Sequence, residues 1–193
     1  LSATDYPGAL AAVLFCQGCP WRCGYCHNPH LIPRISAEQL DWPALMAFLR
    51  RRRGLLDAVV FSGGEPTLQN NLAQAIGEVR QLGFRIGLHT GGTYPARLQA
   101  SLPLLDWVGM DIKADFADYA RVTGTAGSGD KALESARLLL QSGIDHEFRT
   151  TAHPLYHRPA PLLHLAETRR DGGVRNYALQ EFRPLGCANA QLN

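Results

Sequence analysis

The chain lacks most of the features that would place it outside the cell or in a membrane. Five cysteines in 193 residues is a low, odd count, and no signal-like apolar segment precedes them, which argues against a disulfide framework. No apolar run reaches the roughly 18 residues needed to cross a bilayer. Neither sign of charge dominates: 19 Lys and Arg against 17 Asp and Glu leave a formal charge of +2, too balanced to argue for nucleic acid or an anionic membrane. Internal repeats, low-complexity tracts and long linkers are also missing, so a single cytoplasmic domain over residues 1–193 is the expectation. A chain of this length buries roughly 70 per cent of its unfolded surface and needs no metal merely to stay folded. The one basic run, Arg50 to Arg53, closes a helical stretch, where cations favour the C-terminal dipole.

What is present is a concentrated set of thiols. Cys19, Cys23 and Cys26 form C-x3-C-x2-C in a loop that leaves an apolar, strand-like run. Three closely spaced thiolates can hold an iron-sulfur cube by three corners and leave its fourth iron open to a substrate, whereas a fully ligated cluster mostly carries electrons. Counting Cys16 gives C-x2-C-x3-C-x2-C, which also reads as a four-thiolate zinc knot or a closed ferredoxin-type site. Structural zinc pairs are usually separated by about twelve or more residues. Bacterial ferredoxins order their spacings as x2, x2, x3 and end in Cys-Pro, and this chain does neither. Spacing favours the iron-sulfur reading. With three cysteines assigned, only Cys16 and Cys187 remain, too few for a second cluster, and Cys16 reads as a small packed residue or a redox-labile neighbour.

The apolar pattern alternates regularly. Strand-like runs fall at Ala9 to Phe15, Asp57 to Ser62, Phe84 to Thr90, Trp107 to Lys113, His146 to Ala152 and Tyr177 to Phe182. Helical stretches between them span Ser36 to Arg53, Asn71 to Leu82, Pro95 to Leu102, Lys131 to Ser142 and Ala160 to Arg170. Ser36 with Gln39 makes a capping box, Gly83 and Gly143 sit as helix stops, and Pro43 suggests a second helix start after Asp41. Such alternation implies βαβ crossovers and a parallel sheet. Six strands fall short of a closed eight-stranded barrel, so the predicted fold is α/β, a partial open (β/α)6 barrel.

On this scheme the C-terminal end of every strand runs into residues that a buried strand would not choose. That edge is where α/β folds build active sites. Gly63-Gly64-Glu65-Pro66 follows the second strand; glycines there let a ligand approach the backbone, and Glu65 can add a charge-assisted contact to an amino group. The bland alternative is an ordinary turn capped by Glu65. Asp111 and Lys113 share one strand face, as a salt bridge or a clamp on ligand. Arg149 has the reach to fork onto a ligand carboxylate. His89 reads equally as a core histidine or a ligand contact, while His153, His157 and His164 show no ligand-like spacing.

These residues together resemble the radical S-adenosylmethionine superfamily: C-x3-C-x2-C with an aromatic before the last cysteine, then Gly-Gly-Glu-Pro after the second strand. Asp5-Tyr6-Pro7-Gly8, Cys26-His27-Asn28-Pro29, Met110-Asp111-Ile112-Lys113 and Glu147-Phe148-Arg149-Thr150-Thr151 are similar to the group of anaerobic ribonucleoside-triphosphate reductase activating proteins, relatives of the pyruvate formate-lyase activating enzyme. The resemblance implies a 4Fe-4S cluster on Cys19, Cys23 and Cys26, with S-adenosylmethionine chelating its open iron. It implies Tyr25 beside the adenine and Gly63, Gly64 and Glu65 on the methionyl ammonium. Lys113 and Arg149 would lie near the carboxylate or ribose, with Thr90 and Asp111 completing the cofactor set. Reductive cleavage would give a 5'-deoxyadenosyl radical that takes a hydrogen atom from a backbone glycine of a large partner enzyme, with reduced flavodoxin or ferredoxin as electron donor. A radical enzyme acting on a small molecule, or a non-enzymatic iron-sulfur or zinc protein, is the alternative. The group usually carries Asp where His89 stands, in a cation site that a neutral imidazole would serve poorly. Arg183 stands near a histidine of the pyruvate formate-lyase activator, so target recognition need not be shared. Little chain remains after six strands to build a lid, which suits a substrate that brings its own bulk.

Overall fold

The computed structural model describes residues 1–37, 39–157, 174 and 176–192. Six strands form one sheet in the order β1-β2-β3-β4-β5-β6, every neighbouring pair parallel. They are β1 (Ala11–Cys16), β2 (Ala58–Gly63), β3 (Arg85–Thr90), β4 (Trp107–Asp111), β5 (Asp145–Ala152) and β6 (Tyr177–Glu181). All six predicted strands are present, with ends shifted by at most two residues. Among the described residues β1 pairs only with β2 and β6 only with β5, so the sheet is a partial barrel with an open side.

The helices are α1 (Trp42–Arg50), α2 (Leu72–Arg80), α3 (Pro95–Ser101), α4 (Tyr119–Thr123) and α5 (Ser128–Ser142). The longer helices present a periodic apolar stripe to the sheet: Leu72, Ile76 and Val79 on α2, and Ala132, Ala136 and Leu139 on α5, are all buried. The first helix corrects one half of the sequence reading and bears out the other. It does not open at a Ser36 capping box but at Trp42, after an extended Asp41 and with Pro43 in the first turn, the start that Pro43 suggested. There proline's missing N–H costs no hydrogen bond. The α4 turn had no sequence signal, being a five-residue segment too short to show a period. Gly143 ends α5 in the left-handed conformation (φ 72°), as a glycine stop should. The predicted helix Ala160 to Arg170 and His164 lie outside the described residues.

The two faces of the sheet have different fates. Val59, Phe61, Ile86, Leu88, Val108, Met110 and Phe148 pack against the helices in the main core. The alternate residues point to the concave face, where Ala11, Ala58, Val60 and Trp107 make a small second cluster with Tyr6 and Ala9. The chain start folds back as a Ser2–Ala11 antiparallel bridge, and Tyr6 lies against Trp107 with ring centroids 5.7 Å apart. The concave face is therefore apolar at its N-terminal end and closed by the chain start. Polar side chains gather at its other end.

Ile76 is fully buried, while Leu55 is 67% exposed. We expect Ile76→Ala to lower unfolding free energy by about 2–5 kcal/mol and Leu55→Ala to change it by less than about 0.5 kcal/mol, both read from urea unfolding midpoints.

Candidate active site

The polar end of the concave face is a cavity of about 260 Å³, and every site residue predicted from the sequence lines it: Cys19, Cys23, Cys26, Tyr25, Gly63, Gly64, Glu65, Thr90, Asp111, Lys113 and Arg149. Loops after five different strands supply them, which is why no local window contained the site.

The cysteine loop is held by backbone contacts. Gly64 N–H donates to the Cys16 carbonyl (2.9 Å) and Glu65 N–H to the Gly18 carbonyl (2.8 Å), while Gly18 and Cys19 N–H donate to Leu31 and Ile32 (2.8 and 3.1 Å). A Cβ on Gly63 would lie 2.4 Å from Cys16 N, and one on Gly64 would lie 2.3 Å from Gly18 O. The glycines therefore admit the loop's own backbone, a close approach that sequence reasoning assigned to a ligand. Gly63 also needs its positive φ of 116°.

Cys19, Cys23 and Cys26 reach the cavity, and Cys16 does not. As the last residue of β1, Cys16 points to the helix side, against the main core. Burial, with Glu65 nearby, pushes its thiol up to about 12. The four-thiolate reading thus splits into three thiols on the cavity and one packed residue. Burial also pushes Cys19 up to about 12 and raises Cys23, on which Lys113 acts in the opposite sense. Among the described residues no group of three or more His, Cys, Asp or Glu side chains is gathered round a single ion.

Glu65 is 2% exposed and acts as a hub. Its Oε1 accepts from Thr67 N–H (3.1 Å), Thr67 Oγ1 (2.6 Å) and Thr90 Oγ1 (2.7 Å), and its Oε2 accepts from Gly91 N–H (2.9 Å). Burial raises its pKa and these hydrogen bonds oppose the rise. Oε1 is saturated; Oε2 keeps acceptor capacity toward the cavity. Thr90 Oγ1 also accepts from Gly92 N–H (2.9 Å), so its side chain is spent on joining the β3 end to Glu65.

Asp111 and Lys113 pair at 2.8 Å. Burial alone would raise the Asp111 carboxyl, but the Lys113 ammonium and the Arg149 guanidinium hold it at about 2. For Lys113 burial works downward, and the Asp111 charge outweighs it, leaving the amine well above its ordinary value. The Lys113 Nζ lies 5.8 Å from the centroid of Tyr25, whose buried hydroxyl has no hydrogen-bond partner among the described residues. Arg149 lines the cavity while leaning on its neighbours: Nε lies 3.6 Å from Asp111 and 3.9 Å from Glu147, and the guanidinium sits 5.8 Å from the Trp107 ring centroid. Gly109 makes room for it, since a Cβ there would lie 2.4 Å from an Arg149 nitrogen.

His89 is on the cavity wall and is held there by hydrogen bonds. Its Nε2 lies 2.9 Å from the Asp5 carbonyl and its Nδ1 3.3 Å from Ser62 Oγ. Burial, then Arg149, lowers its pKa, consistent with a neutral ring that donates from Nε2 to Asp5 and accepts at Nδ1. His157 is no surface residue: it is buried, and its Nε2 donates to the Lys113 carbonyl (2.7 Å). Sequence reasoning missed Tyr119, whose hydroxyl accepts from Lys113 N–H (2.8 Å) and donates to the Asp111 carbonyl (3.3 Å). Its ring meets Trp21 of the cysteine loop edge-on at 5.7 Å, so one side chain ties two cavity walls together. Asp5, also missed, comes from the chain start and carries no periodic signal.

A half-open parallel α/β barrel with a polar, thiol-lined cavity at the strand C-termini has the architecture of an α/β-barrel enzyme, with its candidate site where such folds build them. The Radical SAM superfamily profile matches residues 13–171, and the chain belongs to that superfamily. It is a radical S-adenosylmethionine enzyme, whose cofactors are a 4Fe-4S cluster and S-adenosylmethionine. A Methanocaldococcus jannaschii protein provisionally named a glycyl-radical enzyme activating enzyme is 31% identical over 95% of this chain and 78% of its own. The pyruvate formate-lyase-activating enzyme of Clostridium pasteurianum is 32% identical over 67% of this chain and 56% of its own. The PqqA peptide cyclase of Gluconobacter oxydans is 33% identical over 70% and 39%. Among solved structures, Streptococcus suis SuiB bound to precursor peptide SuiA superposes with a TM-score of 0.75 at 13% identity, over 98% of this chain and 42% of that one. A structure of anSMEcpe with AdoMet and a peptide gives 0.73 at 14%, over 90% and 51%; both show the fold. The chain thus spans about half or less of several of the proteins it matches. No helix among the described residues is long and apolar enough to cross a membrane.

The residues fit this cofactor pair. Three soft thiols reach the cavity while a fourth is turned away, leaving one cluster corner without a protein ligand. The buried, unpartnered Tyr25 hydroxyl and Arg149 Nε line the same space.

We expect Cys19→Ala, Cys23→Ala and Cys26→Ala each to abolish iron and sulfide incorporation on anaerobic reconstitution, and Cys16→Ala to retain most of it, measured by iron and sulfide content and visible absorbance. Equal loss in Cys16→Ala with unchanged circular dichroism would refute the three-ligand assignment.

The Asp111–Lys113 pair has its own pH signature. Because the folded-state pKa of Asp111 is depressed, its contribution is full above the ordinary carboxyl range and lost as pH falls toward about 2. Because that of Lys113 is raised, its contribution is full below the ordinary amine value and lost only above it. At pH 7 we expect Asp111→Asn to cost about 1–2 kcal/mol, below the cost of a fully buried pair because a third of Asp111 reaches solvent. Asp111→Asn with Lys113→Met should recover most of the loss in urea unfolding.

Proposed function

We propose that this protein activates a glycyl-radical enzyme, and that its partner is an anaerobic ribonucleotide reductase. The observation that carries the reading is the open side of the barrel. Among the described residues the cavity is flanked by the edges of β1 and β6, the β1 edge bridged only at Ala11 by Ser2; Phe15 is 59% exposed and Gln180 lines the cavity from an exposed position. A gap bounded by two strand edges accepts a segment of polypeptide presented by a larger body. The names of the Methanocaldococcus and Clostridium relatives support the same reading.

In this proposal Cys19, Cys23 and Cys26 hold the cluster. Tyr25 lies along the adenine, Gly63, Gly64 and Glu65 face the methionyl ammonium, and Lys113 lies near the carboxylate, with Thr90, Asp111 and Arg149 behind them. When bound, the cluster and S-adenosylmethionine supply a carbon-centred radical able to take a hydrogen atom from an unactivated C–H bond. The chain's own work is positional. Lys113 stays protonated because Asp111 neutralises it in a buried place, which keeps a fixed positive charge in the cavity without proton exchange. Glu65 locks the β2 and β3 ends together, so the cysteine loop and the cavity wall move as one unit. The floor of Tyr6 and Trp107 closes the N-terminal end and excludes water. Reduced flavodoxin or ferredoxin is the proposed electron source and the cytoplasm the proposed location, with residues 1–193 acting as one domain.

A second reading, modification of a small peptide, is favoured by the similarity to the PqqA peptide cyclase. One experiment separates the two. The reconstituted, reduced protein is mixed anaerobically with S-adenosylmethionine and a candidate reductase. We expect a glycyl radical doublet by electron paramagnetic resonance, with about one 5'-deoxyadenosine per radical. Formation of 5'-deoxyadenosine only with short peptides, and no doublet on any glycyl-radical partner, would overturn the proposal.

A further inference from the structure

A second cavity, of about 310 Å³, lies beside the cysteine loop, and none of the cavity residues described above lines it. Gln17, Arg34, Gln69, Tyr94 and Arg97 line it, and no carboxylate of the described residues does. The walls are built rather than loose. Gln17 Nε2 donates to the carbonyls of His30 (3.1 Å) and Pro33 (2.6 Å), and Gln69 Nε2 donates to the Gln17 carbonyl (2.7 Å). Arg97 donates to the carbonyls of Thr67 (3.1 Å) and Leu68 (2.6 Å). The Arg97 guanidinium and the Lys131 ammonium both approach the Tyr94 ring, at 4.7 and 5.8 Å from its centroid.

Arg34, Arg97 and Lys131 form no ion pair among the described residues. Arg34 and Arg97 share a depression with no carboxylate in its lining, and Lys131, carried on α5 between Asp130 and Glu134, adds a third cation at the Tyr94 ring, so an anionic partner at this depression would relieve the repulsion. The position of this patch is as informative as its charge. The Arg34 Cα lies 3.6 Å from where a Gly18 Cβ would stand, and Gly18 adjoins Cys19. Cys19 N–H donates to the carbonyl of Ile32 (3.1 Å), two residues before Arg34. The cation face is therefore joined to a cluster-ligand residue through one short stretch of hydrogen-bonded backbone.

The chemistry needs an electron from outside while the first cavity is filled by S-adenosylmethionine and substrate. The electron has to enter by another face, close to a cluster ligand. We propose that the Arg34–Arg97–Lys131 face docks the reductant, an acidic one-electron carrier protein with a flavin or an iron-sulfur centre. One electron passes from the carrier to the cluster; the carrier is oxidised by one electron, the cluster reduced by one, and no proton is transferred. The proposal rests on the chain being a radical S-adenosylmethionine enzyme and not on which substrate it attacks, so its test runs without substrate.

The test follows reduction of the reconstituted cluster by stopped-flow absorbance. The probes are flavodoxin hydroquinone, reduced ferredoxin and, as a small cation that needs no docking, reduced methyl viologen. The paired substitution Arg34→Glu and Lys131→Glu is compared with Arg50→Glu and Arg51→Glu at the C-terminal end of α1; Arg97 is spared because it also holds the Thr67–Leu68 turn. At low salt we expect the first pair to slow reduction by the carrier about tenfold or more and to flatten its salt dependence, leaving the viologen rate unchanged. The α1 pair should alter neither. Calorimetry with oxidised flavodoxin, in which no turnover occurs, should show binding weakened by the first pair and by added salt. The proposal is overturned if the carrier rate is unchanged, if carrier and viologen slow equally, if the α1 pair has the same effect, or if the unmodified protein reacts with both carriers at rates insensitive to salt. None of these results bears on glycyl-radical formation, so failure here leaves the proposed function standing.

Discussion

The structure depends on two backbones touching without side chains between them. Gly63 and Gly64, at the end of β2, lie against Cys16 and Gly18 so closely that a single Cβ on either glycine would collide with main-chain atoms. Two hydrogen bonds, Gly64 to Cys16 and Glu65 to Gly18, close that contact. The loop bearing the three thiols is thereby fixed to the sheet rather than left as a surface excursion. A cluster held by these three thiols alone would need such a mount, since no fourth protein bond would correct a misplaced loop.

The same contact organises the cavity electrostatics. Glu65 follows the glycines directly, and its carboxylate gathers donors from the Pro66 turn and the β3 end. The opposite wall is held by Tyr119, which bonds the backbone on both sides of Ile112 and leans on Trp21. Between these two anchors lie the ionised Asp111–Lys113 pair and Arg149. The charges are mutually compensated before any ligand arrives. An interior of this kind is polar yet rigid, because each charge is held by another and none is free to drift toward water.

The barrel's incompleteness has a matching role. Six parallel strands leave two unpaired edges, which a closed barrel would avoid. On the readings proposed above, a bulky substrate would enter at this gap and the electron would arrive at the cationic depression beside the cysteine loop, so that the two would not compete for one entrance.

The amino-acid sequence by itself determined the strands, most of the helices, the thiol trio and a set of candidate site residues all of which lie on the cavity wall, though not the whole wall: Asp5 and Trp21 were not among them. Those features are local: a period of two or 3.6, a cysteine spacing, or a glycine pair after an apolar run is legible within a dozen residues. Tertiary structure decided what each residue does there. It turned Cys16 to the helix side and drew Arg149 toward Asp111 and Glu147. It brought Asp5 from the chain start onto the His89 ring, and made His157 and Tyr119 supports of the Lys113 backbone. It also showed that Gly63 and Gly64 admit the cysteine loop itself. These roles join residues separated by tens of positions in the chain. They depend on strand register and loop path, which no local pattern encodes.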